Sequence, residues 1–264
     1  MNNLLAHFTR PKPVIGMIAL TPSPGYPRFT TPTALIDHAL TDLYTLQRGG
    51  VDGVCVENDF DHPHTLTAGP EVIAMMTAVV REIVRAAAVP VGVEVLLNDP
   101  YASLAVALAA GARFIRTDFF VDDVRISAGE VHPHAAGIVG FRHRINAGHL
   151  CICADVQVKY STLLTPGKTL AQSTAQAVAA GADAVIVTGT ATGTAPTLAD
   201  VRAVKEAAGH TPVFIGSGTT PANAAALLAI ADGAIVGSAL KAAYEPGVPV
   251  DEHRVRALMA SLGG

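Results

Sequence analysis

Asp155, Gln157 and Lys159 alternate at the end of the apolar stretch HLCICADVQV. A strand running through them would put all three on one face. A lysine held charged beside a carboxylate can stabilise an enediolate. With a lowered pKa it can instead attack a carbonyl and form an imine. A solvated ion pair is the plainer alternative. Other carboxylates gather where apolar stretches end: Glu57 and Asp59 after DGVCVEN, Glu94 and Asp99 around PVGVEVLL, and Asp118 in RFIRTD. Glu57 suits a general base. Glu57, Asp59, Asp99 and Asp118 around one rim would also suit Mg²⁺ or Mn²⁺, or a hydrogen-bonded network that supports loops. Arg116 shares a face with Asp118 and can pair with it or with a substrate. The expected reaction centre is Glu57, Asp155 and Lys159, and no organic cofactor is indicated.

A second group of residues is small rather than charged. Gly216-Ser217-Gly218 precedes Thr219-Thr220-Pro221, where Thr220 suits a helix N-cap and Pro221 the first helical position. Gly237-Ser238 follows the last apolar stretch. Such loops let backbone N–H groups approach a phosphate, and a helix N-terminus favours the anion. Thr188, Gly189, Thr192 and Gly193 form a similar loop, able to touch a sugar or phosphate. Tight turns are the alternative for all of them. His62-Pro63-His64 and His132-Pro133-His134 have the H-x-H spacing of metal ligands, but both fall in loops and are expected to be surface histidines.

The elements that must position these groups are legible as eight short runs rich in Val and Ile, at 13–20, 52–58, 90–97, 113–118, 149–158, 183–189, 212–218 and 233–238. Between them lie helical patterns, such as Leu35, Ala39, Leu43 and Leu46, stopped by Gly49-Gly50 and by the AGA turns at 110–112 and 180–182. Eight strand–helix units imply parallel strands with right-handed crossovers. We expect a single (β/α)8 barrel domain over residues 1–264, with an extra C-terminal helix over 250–262. An open doubly wound sheet is the runner-up. In such barrels reactive groups sit at strand C-terminal ends. Asp52, Asp183 and Asp232, at strand starts, are therefore read as structural. The 119–131 connection is long enough for a lid.

Composition narrows the function. Half of the 264 residues are hydrophobic, only 15% are charged and the net charge is −4. That supports a large core and argues against a basic face for nucleic acid. Trp is absent and aromatics make up 5%, which argues against stacking on bases or glycans. Cys55, Cys151 and Cys153 are too few and too scattered for a disulfide framework and read as core filler, in keeping with a cytoplasmic chain. No stretch reaches transmembrane length and no leader is evident; peripheral membrane attachment stays open. The low charge fraction favours a homo-oligomer.

The ordered series VIGMIALTPSPGYP, GGVDGVCVEN, LND, GARFIR, ADVQVK, GADAVIVTGTATG, GSGTTPAN, DGAIVGSALK and PVDEHRVRALM resembles the BtpA family over nearly the whole chain. The resemblance implies a TIM barrel related to ribulose-phosphate-binding barrels. It implies two kinds of role: an enzyme of phosphorylated-sugar metabolism, or a non-catalytic factor in photosystem assembly at a membrane. Ala19 and Tyr160 stand where the family usually has histidine, so a general acid or base carried there is missing. The expected partner is a small phosphorylated metabolite, contacted by Arg116, Thr188, Gly189, Gly193, Gly216, Ser217, Gly218, Gly237 and Ser238. The expected reaction is an aldol-type cleavage, isomerisation or epimerisation; a sugar-phosphate sensor without turnover is the further alternative.

Overall fold

The computed structural model describes residues 3–263. Residues 1, 2 and 264 of the expected domain lie outside the described residues. The strands in chain order are β1 (Val14–Ala19), β2 (Gly53–Glu57), β3 (Val91–Glu94), β4 (Phe114–Thr117), β5 (Val124–Ile126), β6 (Gly129–Val131), β7 (Cys151–Val156), β8 (Thr162–Leu163), β9 (Ala184–Val187), β10 (Val213–Ile215) and β11 (Gly233–Val236). The eight longer-range parallel ones close in the order β1-β11-β10-β9-β7-β4-β3-β2. They coincide with the eight apolar runs. Buried on both faces, such strands need continuous hydrophobicity rather than alternation.

The helices are α1 (Pro32–Gly49), α2 (Pro70–Ala86), α3 (Pro100–Ala110), α4 (Ala135–Arg144), α5 (Leu170–Ala179), α6 (Leu198–Ala208), α7 (Ala224–Leu228) and α8 (Glu252–Ala260). Local chemistry sets their ends. Thr31 caps α1 through Ala34 N–H, with Pro32 following, and Thr169 with Gln172 forms a capping box on α5. Gly50 (φ 95°) ends α1 in the left-handed region, which costs glycine little. Leu35, Ala39, Leu43 and Leu46 form the buried stripe of α1. The C-terminal helix expected beyond the barrel is α8, the eighth helix of the ring. It closes on α1 so tightly that a Cβ on Gly49 would lie 2.2 Å from Val255.

Inside the barrel, Ile15, Met17, Cys55, Phe114, Cys151, Cys153, Ile186, Phe214 and Ile235 fill the core, and Leu4 packs with them. The three cysteines are buried free thiols, as expected of core filler. A Cβ on Gly92 would lie 2.0 Å from the Phe114 ring, so glycine there makes room for the aromatic. Under the barrel the three strand-start aspartates repeat one device. Asp52, Asp183 and Asp232 accept from the backbone N–H of Val14, Ile152 and Val213 at 2.9, 2.9 and 2.8 Å. Each also pairs with a cation: Arg10, Arg142 and Lys205 respectively.

Two expectations are corrected at the top. Helix α7 starts at Ala224, so Thr220 does not cap it and Pro221 does not open it; Asn223 instead ties Thr220 N–H and Gly218 C=O with its amide. The 119–131 connection is a hairpin, β5–β6, paired antiparallel to β8 over its own cluster of Phe119, Val124, Val131 and Val158. It forms a packed roof with strand pairing of its own in place of an irregular loop. Among the described residues no helix is long and apolar enough to cross a membrane.

Candidate functional site

A cavity of about 810 Å³ opens at the C-terminal ends of the barrel strands. The circular strand order sets β2, β3 and β4 opposite β9, β10 and β11. One wall therefore carries Glu57, Asp59, Glu94, Arg116 and Asp118, while the facing wall carries Thr192-Gly193, Ser217-Gly218-Thr219 and Gly237-Ser238-Ala239.

Arg116 organises the charged wall. It is buried, donates from Nη2 to Asp155 Oδ2 at 2.7 Å, and lies 3.3 Å from Glu94 and 3.9 Å from Asp118. Glu57 and Glu94 are register partners on neighbouring strands, both on the inward face. Burial raises the Glu57 carboxyl to about 7, with Asp59 adding to the rise and Arg116 opposing it. Burial likewise raises Asp155 to about 7 against the pull of Arg116, and the adjacent Asp118 carboxyl favours the protonated form. Glu94 is raised well above the usual carboxylate range by burial and by Asp118 and Glu57, with Arg116 opposing. Its contact with Arg116 has ion-pair distance but no hydrogen-bond alignment, and both its oxygens are buried without a donor. One guanidinium cannot neutralise this many carboxylates in a desolvated site. Glu57, Glu94 and Asp155 therefore bind protons more tightly than ordinary carboxylates, as groups that both take and give them must.

The structure separates the expected reaction centre. Glu57 lines the cavity, and Tyr244 donates to its Oε1 at 3.1 Å. Asp155 sits beneath Arg116, 2% exposed, and pairs with that arginine and not with Lys159. The alternation through Asp155, Gln157 and Lys159 fails because β7 ends at Val156 and Gln157 turns to φ 46°. The Gln157 amide bonds Lys168 C=O and Ser173. Lys159 reaches the cavity from the following loop, and among the described residues its ammonium has no ion-pair partner. Asp99 does not reach the cavity. It caps α3, accepting from Ala102 N–H at 2.8 Å and Ala68 N–H at 3.0 Å. Among the described residues no three His, Cys, Asp or Glu side chains are grouped to hold a metal ion.

The facing wall is built mainly of backbone. Thr188 and Gly189 stand behind it: Thr188 accepts from Lys159 N–H, and Gly189 N–H donates to Ser217 Oγ, which donates on to Thr194 C=O. Gly218 (φ 67°) is packed so closely that a Cβ would lie 2.1 Å from Ala195 N. Gly216 admits Arg116, whose Nη2 would be 3.4 Å from a Cβ there. Gly193 faces Ser238 across the loops, a Cβ being 3.8 Å from the serine Oγ. The backbone N–H groups of Gly193, Gly218, Thr219 and Ser238 make no hydrogen bond among the described residues, and the Thr219 hydroxyl is buried without a partner.

Several cavity residues were not among the expected ones. His62 is exposed, as a surface histidine should be, but stands at the cavity rim, and His64 is half-buried in the cavity wall with its Nε2 3.9 Å from Asp59. His132 is exposed on the hairpin beside Asp123 and Glu130. Glu94, Phe60 and Tyr244 also line the cavity. Glu94 had a readable signal, since it ends the third apolar run as Glu57 ends the second. Ala19 is buried beside Glu57 in register, and Tyr160 lines the cavity with its hydroxyl accepting from Thr192 N–H at 2.8 Å.

The comparisons agree with this architecture. The sequence profile of the BtpA family matches residues 10–263. The chain is 36% identical to the photosystem I biogenesis protein BtpA of Synechocystis sp., covering 98% of this chain and 91% of that protein. It is 31% identical to the putative sgc region protein SgcQ of Escherichia coli, covering 95% and 94%. Among solved structures, Mycobacterium tuberculosis tryptophan synthase superposes with a TM-score of 0.60 at 22% identity, covering 95% of this chain and 92% of that one. Phosphoribosyl anthranilate isomerase from Thermus thermophilus superposes with a TM-score of 0.59 at 15% identity, covering 95% and 98%. Likeness at that level is one of fold, and barrels host many chemistries. The profile match and the relatives together place this chain in the BtpA family.

Proposed function

We propose that this barrel is an enzyme that moves a proton on a phosphorylated sugar or related small metabolite, in an isomerisation, epimerisation or aldol-type cleavage. The observation that carries this reading is one cavity in which unbonded backbone N–H groups face buried carboxylates of raised pKa. The loops at Gly193, Ser217-Gly218-Thr219 and Gly237-Ser238 hold the phosphate by backbone approach, with Thr219 Oγ1 as a further donor. The carbonyl end then lies over Arg116, Glu57, Glu94 and Lys159.

In the isomerisation, ionised Glu57 takes the proton from the carbon next to the carbonyl. The electron pair of that C–H bond forms the enediol double bond, and protonated Glu94 gives its proton to the carbonyl oxygen. Lys159 and Arg116 stabilise the negative charge as it develops. Running the two transfers in reverse at the neighbouring carbon completes the reaction. Asp155 does not touch the substrate in this scheme; it fixes the guanidinium plane of Arg116.

The name of the Synechocystis relative supports a second reading, a non-catalytic assembly factor. Carboxylates held near neutral pH inside a phosphate-sized approach have no role in it. The test is incubation with a panel of aldose and ketose phosphates in D₂O, followed by ¹H NMR. Deuterium should enter beside the carbonyl of at least one compound and stay out with Glu57→Gln. Absence of both binding and exchange across the panel would favour the assembly reading.

A further inference from the structure

The cavity is larger and more apolar on one side than a sugar phosphate requires. Its 810 Å³ stands near the top of the usual range of ligand pockets, about 300–1,000 Å³, and a sugar monophosphate fills only part of it. Apolar side chains line its β2–β4 side next to the carboxylates. Phe60 follows β2, Leu96 and Leu97 follow β3, Phe119 follows β4, and Ile126 comes down from the hairpin. The Tyr244 ring, from the segment after β11, packs on Phe60 with centroids 5.5 Å apart and stands beside Gly237. Leu97 and Ile126 pack with Phe119 in one cluster under the roof. The buried Nδ1 of His64 has no partner at its edge, and Leu97 is held there by its N–H bond to Thr65 C=O.

Apolar walls in a water-filled cavity are stabilised by an apolar ligand group and by nothing a phosphate or hydroxyl offers. We infer that the natural substrate is a sugar phosphate carrying an aromatic ring, and that Leu97, Phe119 and Ile126 form the ring's subsite. The order across the cavity is then phosphate at the β9–β11 loops, sugar carbons over Arg116 and the glutamates, and ring beneath the hairpin. This inference rests on the phosphate reading above and adds the substrate's third part.

Calorimetric titration with three probes separates the two. The probes are inorganic phosphate, ribose 5-phosphate, and a phenyl C-riboside 5-phosphate, whose ring cannot be hydrolysed off. The phenyl compound should bind at least tenfold more tightly than ribose 5-phosphate. Ile126→Asp places a charge at the hairpin end of the subsite, outside the residues given a catalytic role. It should remove that tenfold gain and leave ribose 5-phosphate affinity unchanged; Leu97→Asn serves as the second variant should the hairpin change not fold. Equal or weaker binding of the phenyl compound, with ribose 5-phosphate bound normally, would overturn the aromatic subsite alone. If none of the three probes binds, the phosphate reading falls and the subsite with it.

Discussion

The two ends of this barrel use carboxylates in opposite ways. At the bottom, Asp52, Asp183 and Asp232 each receive one backbone N–H and one private cation. At the top, Glu94, Asp118 and Asp155 share the Arg116 guanidinium, and among the described residues Glu94 has no hydrogen-bond donor. A satisfied acid holds structure together. An acid kept short of partners in a desolvated cavity carries a stability cost, and that cost marks a working group.

The largest test of this contrast is Arg116→Met. It removes the buried cation that Glu94, Asp118 and Asp155 share, and breaking a buried pair typically costs about 3–5 kcal/mol. Thermal unfolding should show most of that loss at pH 8 and less at pH 5, where the released carboxylates take up protons. An unchanged melting temperature at pH 8 would mean the cluster is not held by Arg116. Next is Glu57→Gln, for which turnover should fall roughly 10²–10⁴-fold, the usual contribution of a general base. The same variant should gain stability at pH 8. Glu57 is raised to about 7 from an ordinary 4.5, so the stability linked to its protonation is complete below 4.5 and lost as pH rises through 7. A neutral amide removes that loss, and the melting curve between pH 4.5 and 7 should flatten.

Ser238→Asp is the cleanest probe of the facing wall. It sets a carboxylate against the loops without forcing the backbone, whereas any side chain on Gly218 would strike Ala195. Phosphate affinity should fall at least tenfold with folding intact. The smallest effect belongs to the bottom. Asp232→Asn keeps an acceptor for Val213 N–H and loses only the half-exposed pair with Lys205, so it should cost about 1 kcal/mol and leave turnover per folded molecule unchanged.

The barrel was legible because parallel strands buried on both faces leave unbroken apolar runs, and the glycine stops and threonine caps between them obey local rules. The bottom aspartates were legible for the same reason. The site was legible by wall and not by pairing. Glu57, Arg116 and the three small-residue loops converge as the strand ends required. Asp155 was misassigned to Lys159 because strand alternation was carried past Val156, and nothing in DVQVK announces the positive φ of Gln157. Asp99 did have a signal: an aspartate before Pro100 is the N-cap signature of a helix, which competes with a role at the rim. His62, His64 and Tyr244 come to the cavity by loop paths that no periodicity encodes.

The central claim is that Glu57, Glu94 and Asp155 hold protons near neutral pH. Infrared difference spectroscopy between pH 5 and pH 8 reads this directly through the protonated carboxyl stretch. The account predicts a band that disappears with a midpoint near 7, reduced in Glu57→Gln and reduced again when Asp155→Asn is added. If every carboxyl of the protein has already lost its proton by pH 5.5, the cluster is an ordinary set of ion pairs and the proposed proton chemistry has no seat in it.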